Sequence, residues 1–156
     1  MKKDKAVSPV IATIILVAVA IVMSIAVAYW ALGLGGIFTR YEKIEIMALY
    51  PHVVATDHWN LTAKLKNTGS APATINMILV NGKPYDVYKT GEKPVVKIKV
   101  GNEEFDPNKG VTLSPGTEGV FYVWINKTSP FTPGMTVEIT FHTAAGSDYP
   151  KTIVLP

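Results

Sequence analysis

The sequence predicts an α+β protein in which a long apolar N-terminal helix precedes an antiparallel immunoglobulin-like β-sandwich. No Asp, Glu, Lys, Arg or His lies between Val7 and Thr39, and a run of that length can cross a membrane as a helix. Beyond residue 40, apolar and polar residues alternate in short runs, which is the pattern of half-buried strands. Gly-, Pro- and Asn-rich pairs separate these runs, as turns do.

Composition and charge exclude several classes of protein. Only 17% of the 156 residues are charged, against about 25% in a typical soluble protein. The absence of Cys excludes disulfides, thiolate zinc sites and thiol chemistry. The net charge of +3 comes mostly from a tip with Lys2, Lys3 and Lys5. Such a tip keeps its end of a membrane helix in the cytoplasm, and we expect no nucleic-acid partner because no basic face is evident.

The apolar run predicts a membrane-spanning helix that is apolar on every side. From Val7 to Trp30 it would extend roughly 36 Å at 1.5 Å per residue, enough to cross a hydrocarbon core of about 30 Å. Small residues recur at four-residue spacing, which lets helices approach closely, although lipid-facing composition explains them equally well. These candidate helix-packing residues are Ala18, Ala20, Ser24, Ala26 and Ala28.

Three glycines follow the apolar run. Gly33, Gly35 and Gly36 weaken helix continuity, so we expect a hinge near the end of a helix that extends from Val7 to about Gly36. A secretory signal peptide is the alternative for the whole segment, with Ala26-Val27-Ala28 as its cleavage site. The run is longer than the 7–15 apolar residues of such peptides.

Residues 5–15 read Lys-Ala-Val-Ser-Pro-Val-Ile-Ala-Thr-Ile-Ile. Together with the rest of residues 2–30, this segment resembles the N-terminus of archaeal type IV pilins, whose precursors carry a class III signal peptide. In that family, a prepilin peptidase cuts after a Gly or Ala that follows Lys or Arg. The resemblance therefore implies a cut between Ala6 and Val7, with Lys5 as the preceding basic residue. Bacterial pilins carry Glu at the fifth mature position, where this chain has Ile11, so the archaeal branch is favoured.

We expect three parts in the chain, and the resemblance implies a set of partners. Residues 1–6 form the signal tip, residues 7–40 the transmembrane and filament-core helix with its glycine hinge, and residues 41–156 the exported domain. The implied partners are further copies of the chain, the membrane before assembly, a prepilin peptidase, an assembly ATPase and a platform protein. Archaellins share the signal class but usually differ just after the cut, so the pilin interpretation is preferred.

The exported domain is predicted to contain seven or eight short strands. Trp59, Leu61, Ala63 and Leu65 alternate with polar residues and should face the core. The nearly continuous apolar runs 75–80 and 120–125 indicate central strands, and residues 151–155 a last strand. Other alternating runs are 42–50 (with Ile44, Ile46 and Ala48 inward), 96–100 and 136–141. Asn81-Gly82 predicts a type I′ hairpin turn.

The sequence gives little indication of a catalytic or metal-binding site. The three histidines, His52, His58 and His142, form no recognisable zinc motif, and no nucleophile motif is evident. We expect no enzymatic activity, no cofactor and no metal. Glu103, Glu104 and Asp106 suggest a weak cation loop at most, because hard-cation sites need more ligands.

Two sequons are possible N-glycosylation sites in an exported domain, Asn60-Leu61-Thr62 and Asn126-Lys127-Thr128. A basic strip for anionic surfaces is the less favoured interpretation of four lysines, and a solvated face is the favoured one. These lysines are Lys64, Lys66, Lys97 and Lys99.

The sequence thus predicts a structural subunit of an archaeal type IV pilus, an extracellular filament for adhesion or surface contact that polymerises through its apolar helix. The alternative is a single-pass, membrane-anchored extracellular binding domain that never polymerises. The two differ at the N-terminus, because a pilin would begin at Val7 and a plain anchor at Met1 or Lys2.

Overall fold

A computed structural model of the chain describes residues 9–33, 40–52 and 57–156. The chain divides into two compact units, Met1–Arg40 and Tyr41–Pro156. The first unit contains one described helix, α1, and the second contains every described strand. Each unit is described below by itself.

Helix α1 extends from Pro9 to Ala31. Pro9 occupies its first described position, where a missing backbone N–H leaves no intrahelical bond unmade. At the other end, Gly33 takes the left-handed φ of +66° and its N–H donates to the Trp30 carbonyl at 3.0 Å. A left-handed glycine is the usual stop for a helix, so α1 ends earlier than the predicted end near Gly36.

Other predictions about this segment fall outside the described residues. These are the cleavage residues Lys5, Ala6 and Val7, together with Gly35 and Gly36 of the predicted hinge.

Twelve strands are present among the described residues of the second unit, with one turn of 3₁₀ helix at Tyr85–Val87. The strands are β1 (Ile44–His52), β2 (His58–Asn67), β3 (Ala73–Val80), β4 (Lys83–Pro84), β5 (Lys89–Thr90), β6 (Lys93–Pro94), β7 (Val96–Val100), β8 (Glu103–Glu104), β9 (Val111–Leu113), β10 (Glu118–Asn126), β11 (Thr136–Thr143) and β12 (Asp148–Val154).

Two antiparallel sheets face each other across the core. The first sheet has the order β1-β2-β10-β7-β8, and the second has the order β12-β11-β3-β4, with β9 also pairing with β3. Strands β5 and β6 form a separate two-stranded hairpin. The orders β1-β2-β10-β7 and β12-β11-β3 match the A-B-E-D and G-F-C sheets of immunoglobulin constant-type domains. The predicted α+β class with an immunoglobulin-like sandwich is therefore confirmed.

The strand patterns explain why these residues form two facing sheets. Trp59, Leu61, Ala63 and Leu65 of β2 are buried, as their alternation predicts. The two nearly continuous apolar runs became the inner strands β3 and β10, each flanked on both sides. Asn81 and Gly82 both have positive φ, at 49° and 74°, so the β3–β4 connection has the signs of the predicted type I′ turn.

Strand β1 differs from its prediction after Met47. The pairing register between β1 and β2 shifts between Ile46 and Ala48, so one extra residue is accommodated as a β-bulge. Because side chains alternate with a period of two, the extra residue exchanges the faces that follow it. Ala48 lies opposite Lys64 on the outer face, and Leu49 packs against the core in its place. The expectation that Ala48 points inward is wrong.

Aromatic side chains occupy the centre of the sandwich. Phe121 of β10 contacts Phe141 of β11 edge-to-face with ring centroids 5.3 Å apart, and contacts Phe105 at 6.3 Å. The first of these contacts joins the two sheets. Trp59 is buried, and its indole N–H donates to the Pro156 carbonyl at 2.8 Å. This bond satisfies a polar group that would otherwise lie unpaired in the core.

Asn67 connects the two sheets at the end of β2. The side chain is fully buried, and its Nδ2 donates to the carbonyls of Ala71 and Leu113 at 2.8 Å each. Its Oδ1 accepts from the Gly69 N–H at 2.9 Å. Leu113 belongs to β9 of the second sheet, so one buried amide holds the β2–β3 turn and the edge of the opposite sheet together.

Replacement of Asn67 should destabilise the sandwich strongly. Asn67→Ala removes three hydrogen bonds and leaves buried backbone groups unpaired, so we expect the free energy of unfolding to fall by about 2–4 kcal/mol. Asn108→Ala is the matched control, because Asn108 is exposed and its side-chain amide donates to the Asp106 carboxylate at 3.2 Å. It should change stability by less than about 0.5 kcal/mol. Urea unfolding of both full-length variants in detergent measures the difference, and equal effects would contradict this role.

Tyr85 and Tyr88 anchor the segment between β4 and β7. The Tyr88 hydroxyl donates to the Val80 carbonyl at 2.7 Å, and the Tyr85 hydroxyl donates to the Phe105 carbonyl at 3.2 Å. Tyr88 also contacts Phe131 with ring centroids 5.1 Å apart. Burial raises the pKa of both phenols above the ordinary value, and nearby acidic residues add to the effect at Tyr85.

These raised pKa values predict a loss of stability at alkaline pH. Below about pH 10, both phenols are neutral in the folded and unfolded chain alike. As the pH rises past that value, the unfolded chain releases these protons first, which favours unfolding. Unfolding curves at pH 8 and pH 11 should therefore differ less for Tyr85→Phe/Tyr88→Phe than for the unsubstituted chain. The exposed control Tyr50→Phe should keep the full difference, and an unchanged difference in the double variant would refute the explanation.

Candidate functional site

The first candidate site is the whole surface of α1. None of its residues is buried, and large apolar side chains are exposed on all sides, among them Val17 at 58%, Met23 at 62% and Trp30 at 83%. Among the described helices and strands, α1 is the element long and apolar enough to span a membrane. A helix that is apolar all round is unstable in water, since each exposed apolar side chain favours burial. Lipid or other protein must therefore cover it.

The aliphatic hydroxyls of Thr13 and Ser24 in α1 bond to the backbone of the helix. Thr13 Oγ1 donates to the Val10 carbonyl at 2.8 Å, and Ser24 Oγ donates to the Ala20 carbonyl at 2.7 Å. These bonds shield the polar groups that an apolar environment would penalise.

Small side chains leave shallow depressions on the surface of α1. Ala20, Ser24 and Ala28 follow one another at intervals of four residues and so lie on one face. Ala18 lies on another face, where it borders a shallow groove of about 260 Å³ with Val19, Val22 and Met23. At these small side chains, a second helix can approach α1 closely.

The second candidate site lies on the outer face of the first sheet. We call it the Trp124 cluster, and its members are His58, Asn60, Lys99, Tyr122 and Trp124. Trp124 of β10 pairs across with Asn60 of β2, and Tyr122 pairs with Lys99 of β7, so these residues share one face. His58 stacks on Trp124 with ring centroids 5.1 Å apart and an angle of 12°, and Lys99 Nζ lies 5.4 Å from the ring centroid of Trp124.

Three polar atoms of the Trp124 cluster are buried without a hydrogen-bond partner among the residues that the structure describes. They are His58 Nε2, Asn60 Oδ1 and Trp124 Nε1. A buried polar group without a partner costs about 1–3 kcal/mol. Beside them lies an open cleft of about 430 Å³, lined by Asn60, Tyr122, Trp124 and Lys99 together with Gly101 and Asn102.

His58 is held in place at the edge of this cluster. Its Nδ1 lies 2.8 Å from Asp57 Oδ1. This hydrogen bond keeps the pKa of the exposed Asp57 carboxyl below its ordinary value. The pair fixes the orientation of the imidazole ring against Trp124.

The two sequon asparagines have different surroundings. Asn60 lies half-buried in the Trp124 cluster. Asn126 lies at the end of β10, and its Nδ2 donates to the Pro94 carbonyl at 3.3 Å. The amide nitrogen that a glycan would modify is therefore already engaged at Asn126.

The four lysines do not form a continuous strip, because β10 separates Lys64 and Lys66 of β2 from Lys97 and Lys99 of β7. Lys66 lies 3.4 Å from Glu118 Oε1. Lys97 pairs across with Trp124, so two lysines of β7 flank the tryptophan.

The acidic residues 103–106 and the histidines do not come together in one site among the described residues. Asp106 Oδ1 accepts from the backbone N–H of Asn108 at 2.9 Å and closes a turn, and Glu103 and Glu104 form β8. His142 Nδ1 lies 2.6 Å from Asp148 Oδ1 on the second sheet. Within residues 9–33, 40–52 and 57–156, no group of three His, Asp or Glu side chains is placed to hold a metal ion.

No protein-family model matches the chain, and no curated protein matches it in sequence. Solved structures similar to the chain include the archaellum periplasmic stator protein FlaG from Sulfolobus acidocaldarius, with 16% identity and a TM-score of 0.44 over 72% of this chain and 100% of that one. The Iho670 flagellar-like filament is similar with 15% identity and a TM-score of 0.39 over 95% of this chain and 98% of that one. The apo PCuAC domain of PmoF2 has 14% identity and a TM-score of 0.48 over 74% and 94%. The fold assignment rests on the strand pairing described above and not on these similarities.

Proposed function

We propose that this chain is a structural subunit of an archaeal surface filament of the type IV pilus class, which polymerises through α1. The observation that carries the proposal is the fully exposed apolar surface of α1. That surface needs a cover, and a membrane followed by other copies of the same helix supplies one. The resemblance of residues 2–30 to archaeal type IV pilins supports the second step.

The sandwich fits the outer part of such a filament. It has its own core, whose buried residues extend from Ile44 to Leu155. A domain with a separate core can be displayed on the outside while the helix is packed inside an assembly. We infer that the filament serves adhesion or surface contact, and that a prepilin peptidase, an assembly ATPase and a platform protein act on the precursor.

The state of the N-terminus tests this proposal directly. Filaments sheared from native cells and separated from membranes should contain this chain with Val7 as its first residue, as read by mass spectrometry of the N-terminal peptide. The same chain in the membrane fraction should include uncut precursor that begins at Met1 or Lys2. A chain that is found only in membranes, uncut and monomeric, would instead support the non-polymerising anchor.

A small-to-large change on the face of Ala20 should block assembly. Ala20→Leu fills the space through which helices approach closely, while it keeps the helix apolar and able to insert into the membrane. We expect at least a tenfold loss of sheared filaments with normal cleavage after Ala6. Val22→Leu, which also adds bulk to α1 but at a position that is already large, is the control and should assemble. Equal filament yields from the two variants would show that the Ala20 face is not a packing face.

A further inference from the structure

We propose that the cleft of the Trp124 cluster binds carbohydrate, and that it favours an acidic sugar. The proposal goes beyond the filament role, because the site belongs to the sandwich and can bind whether or not the chain polymerises. It combines two aromatic rings, two side-chain amides and a lysine around one open cleft. Sugars present apolar ring faces and closely spaced hydroxyls, and this set of groups complements both.

The unpaired atoms define the polar half of the site. Asn60 Oδ1 can accept hydrogen bonds and the Trp124 indole N–H can donate one, yet neither atom has a partner among the described residues. The two residues are direct cross-strand neighbours. A sugar hydroxyl both donates and accepts, so adjacent hydroxyls of one ring can satisfy both atoms together. A ligand that does so removes the cost of leaving them unpaired.

Lys99 lies against the Trp124 ring at the edge of the cleft. Its ammonium group lies 5.4 Å from the centroid of the Trp124 ring, where a weak cation–π attraction holds it. A side chain held so weakly can move aside and expose the ring edge. The same ammonium group is then available to a carboxylate on the ligand.

The charges around the cleft favour an acidic ligand. Lys97 and Lys99 of β7 flank Trp124 of β10, and none of the described residues that line the cleft is acidic. A uronic acid supplies a ring, hydroxyls and a carboxylate in one unit. A neutral sugar of the same shape would lack the partner for Lys99 and should bind more weakly.

The sugar has two possible sources with the same chemistry. One is a glycan attached to Asn60, whose sequon Asn60-Leu61-Thr62 lies at the cleft. The other is an external polysaccharide that the surface domain contacts. Both place a sugar ring against Trp124 and Tyr122, so the experiment is designed to separate them.

The test uses the full-length chain, produced in a bacterium that lacks N-glycosylation and held in detergent micelles. Trigalacturonate is the acidic probe and galactotriose is the neutral one. The readout is the indole N–H resonance of Trp124 in a ¹⁵N-labelled sample, assigned by its absence from Trp124→Phe. We expect a saturable shift with trigalacturonate and a weaker response to galactotriose. The absence of a saturable shift with both probes would overturn the proposal.

Two lysine variants separate a specific site from general charge attraction. Lys99→Gln and Lys64→Gln each remove one positive charge from the outer face of the same sheet, but only Lys99 lines the cleft. Lys99→Gln should weaken trigalacturonate binding at least fivefold, with an unchanged unfolding temperature. Lys64→Gln should bind like the unsubstituted chain. Equal weakening by both variants would overturn the proposal.

The two sources are separated with protein from native cells. Mass spectrometry of the peptide that contains Asn60 shows whether a glycan is attached. If it is, native protein should show the shifted Trp124 resonance without added sugar, and Thr62→Val, which removes the sequon, should restore the free position. If Asn60 is unmodified, the bound sugar is external. An attached glycan that leaves the Trp124 resonance at its free position would count against the site.

Discussion

A long apolar helix without a charged side chain imposes the main constraint on this molecule. Among the described residues of α1, the Thr13 and Ser24 hydroxyls bond to the helix itself. Apart from the polar groups of Tyr29 and Trp30 near its C-terminal end, the exposed surface of the helix is apolar. Water cannot solvate such a surface at low cost, so the helix requires lipid or protein around it. The sandwich has its own closed core and does not depend on that cover. The chain therefore consists of a sandwich that buries its own apolar residues and a helix whose apolar surface must be covered by lipid or other protein.

The main features of the fold followed from local patterns in the sequence. Strict alternation predicted the buried face of β2, and continuous apolar runs predicted the inner strands β3 and β10. Asn81-Gly82 predicted the turn after β3. These patterns work because burial repeats with the period of the strand. The bulge at Met47 was not predictable, because one inserted residue leaves the local composition unchanged while it exchanges the faces of Ala48 and Leu49. The end of α1 was predicted too late, since three nearby glycines offered several possible stops.

The Trp124 cluster shows a different limit of sequence reasoning. Asn60 and Trp124 are 64 positions apart, and they become neighbours only through the register of β2 against β10. The sequence singled out Asn60 as a sequon residue and Lys99 as one of four lysines, but it gave no reason to connect either with a tryptophan. Binding groups on sheets are assembled across strands, so their geometry depends on pairing that no single segment encodes. Only the three-dimensional structure shows that the asparagine, the lysine and the aromatic rings line one cleft.

The back-bonded hydroxyls of α1 have a consequence for how one copy of the helix would recognise another. Because Thr13 and Ser24 already donate to carbonyls one turn earlier, neither has a proton to offer to a neighbouring chain. Selectivity between neighbouring helices must then come from the shapes of their packing surfaces. Ser24 contributes to that shape as a small side chain and not as a hydrogen-bond donor. Exchanges among Gly, Ala and Ser on the face that contains Ser24 should be tolerated in evolution far better than replacement by a larger side chain.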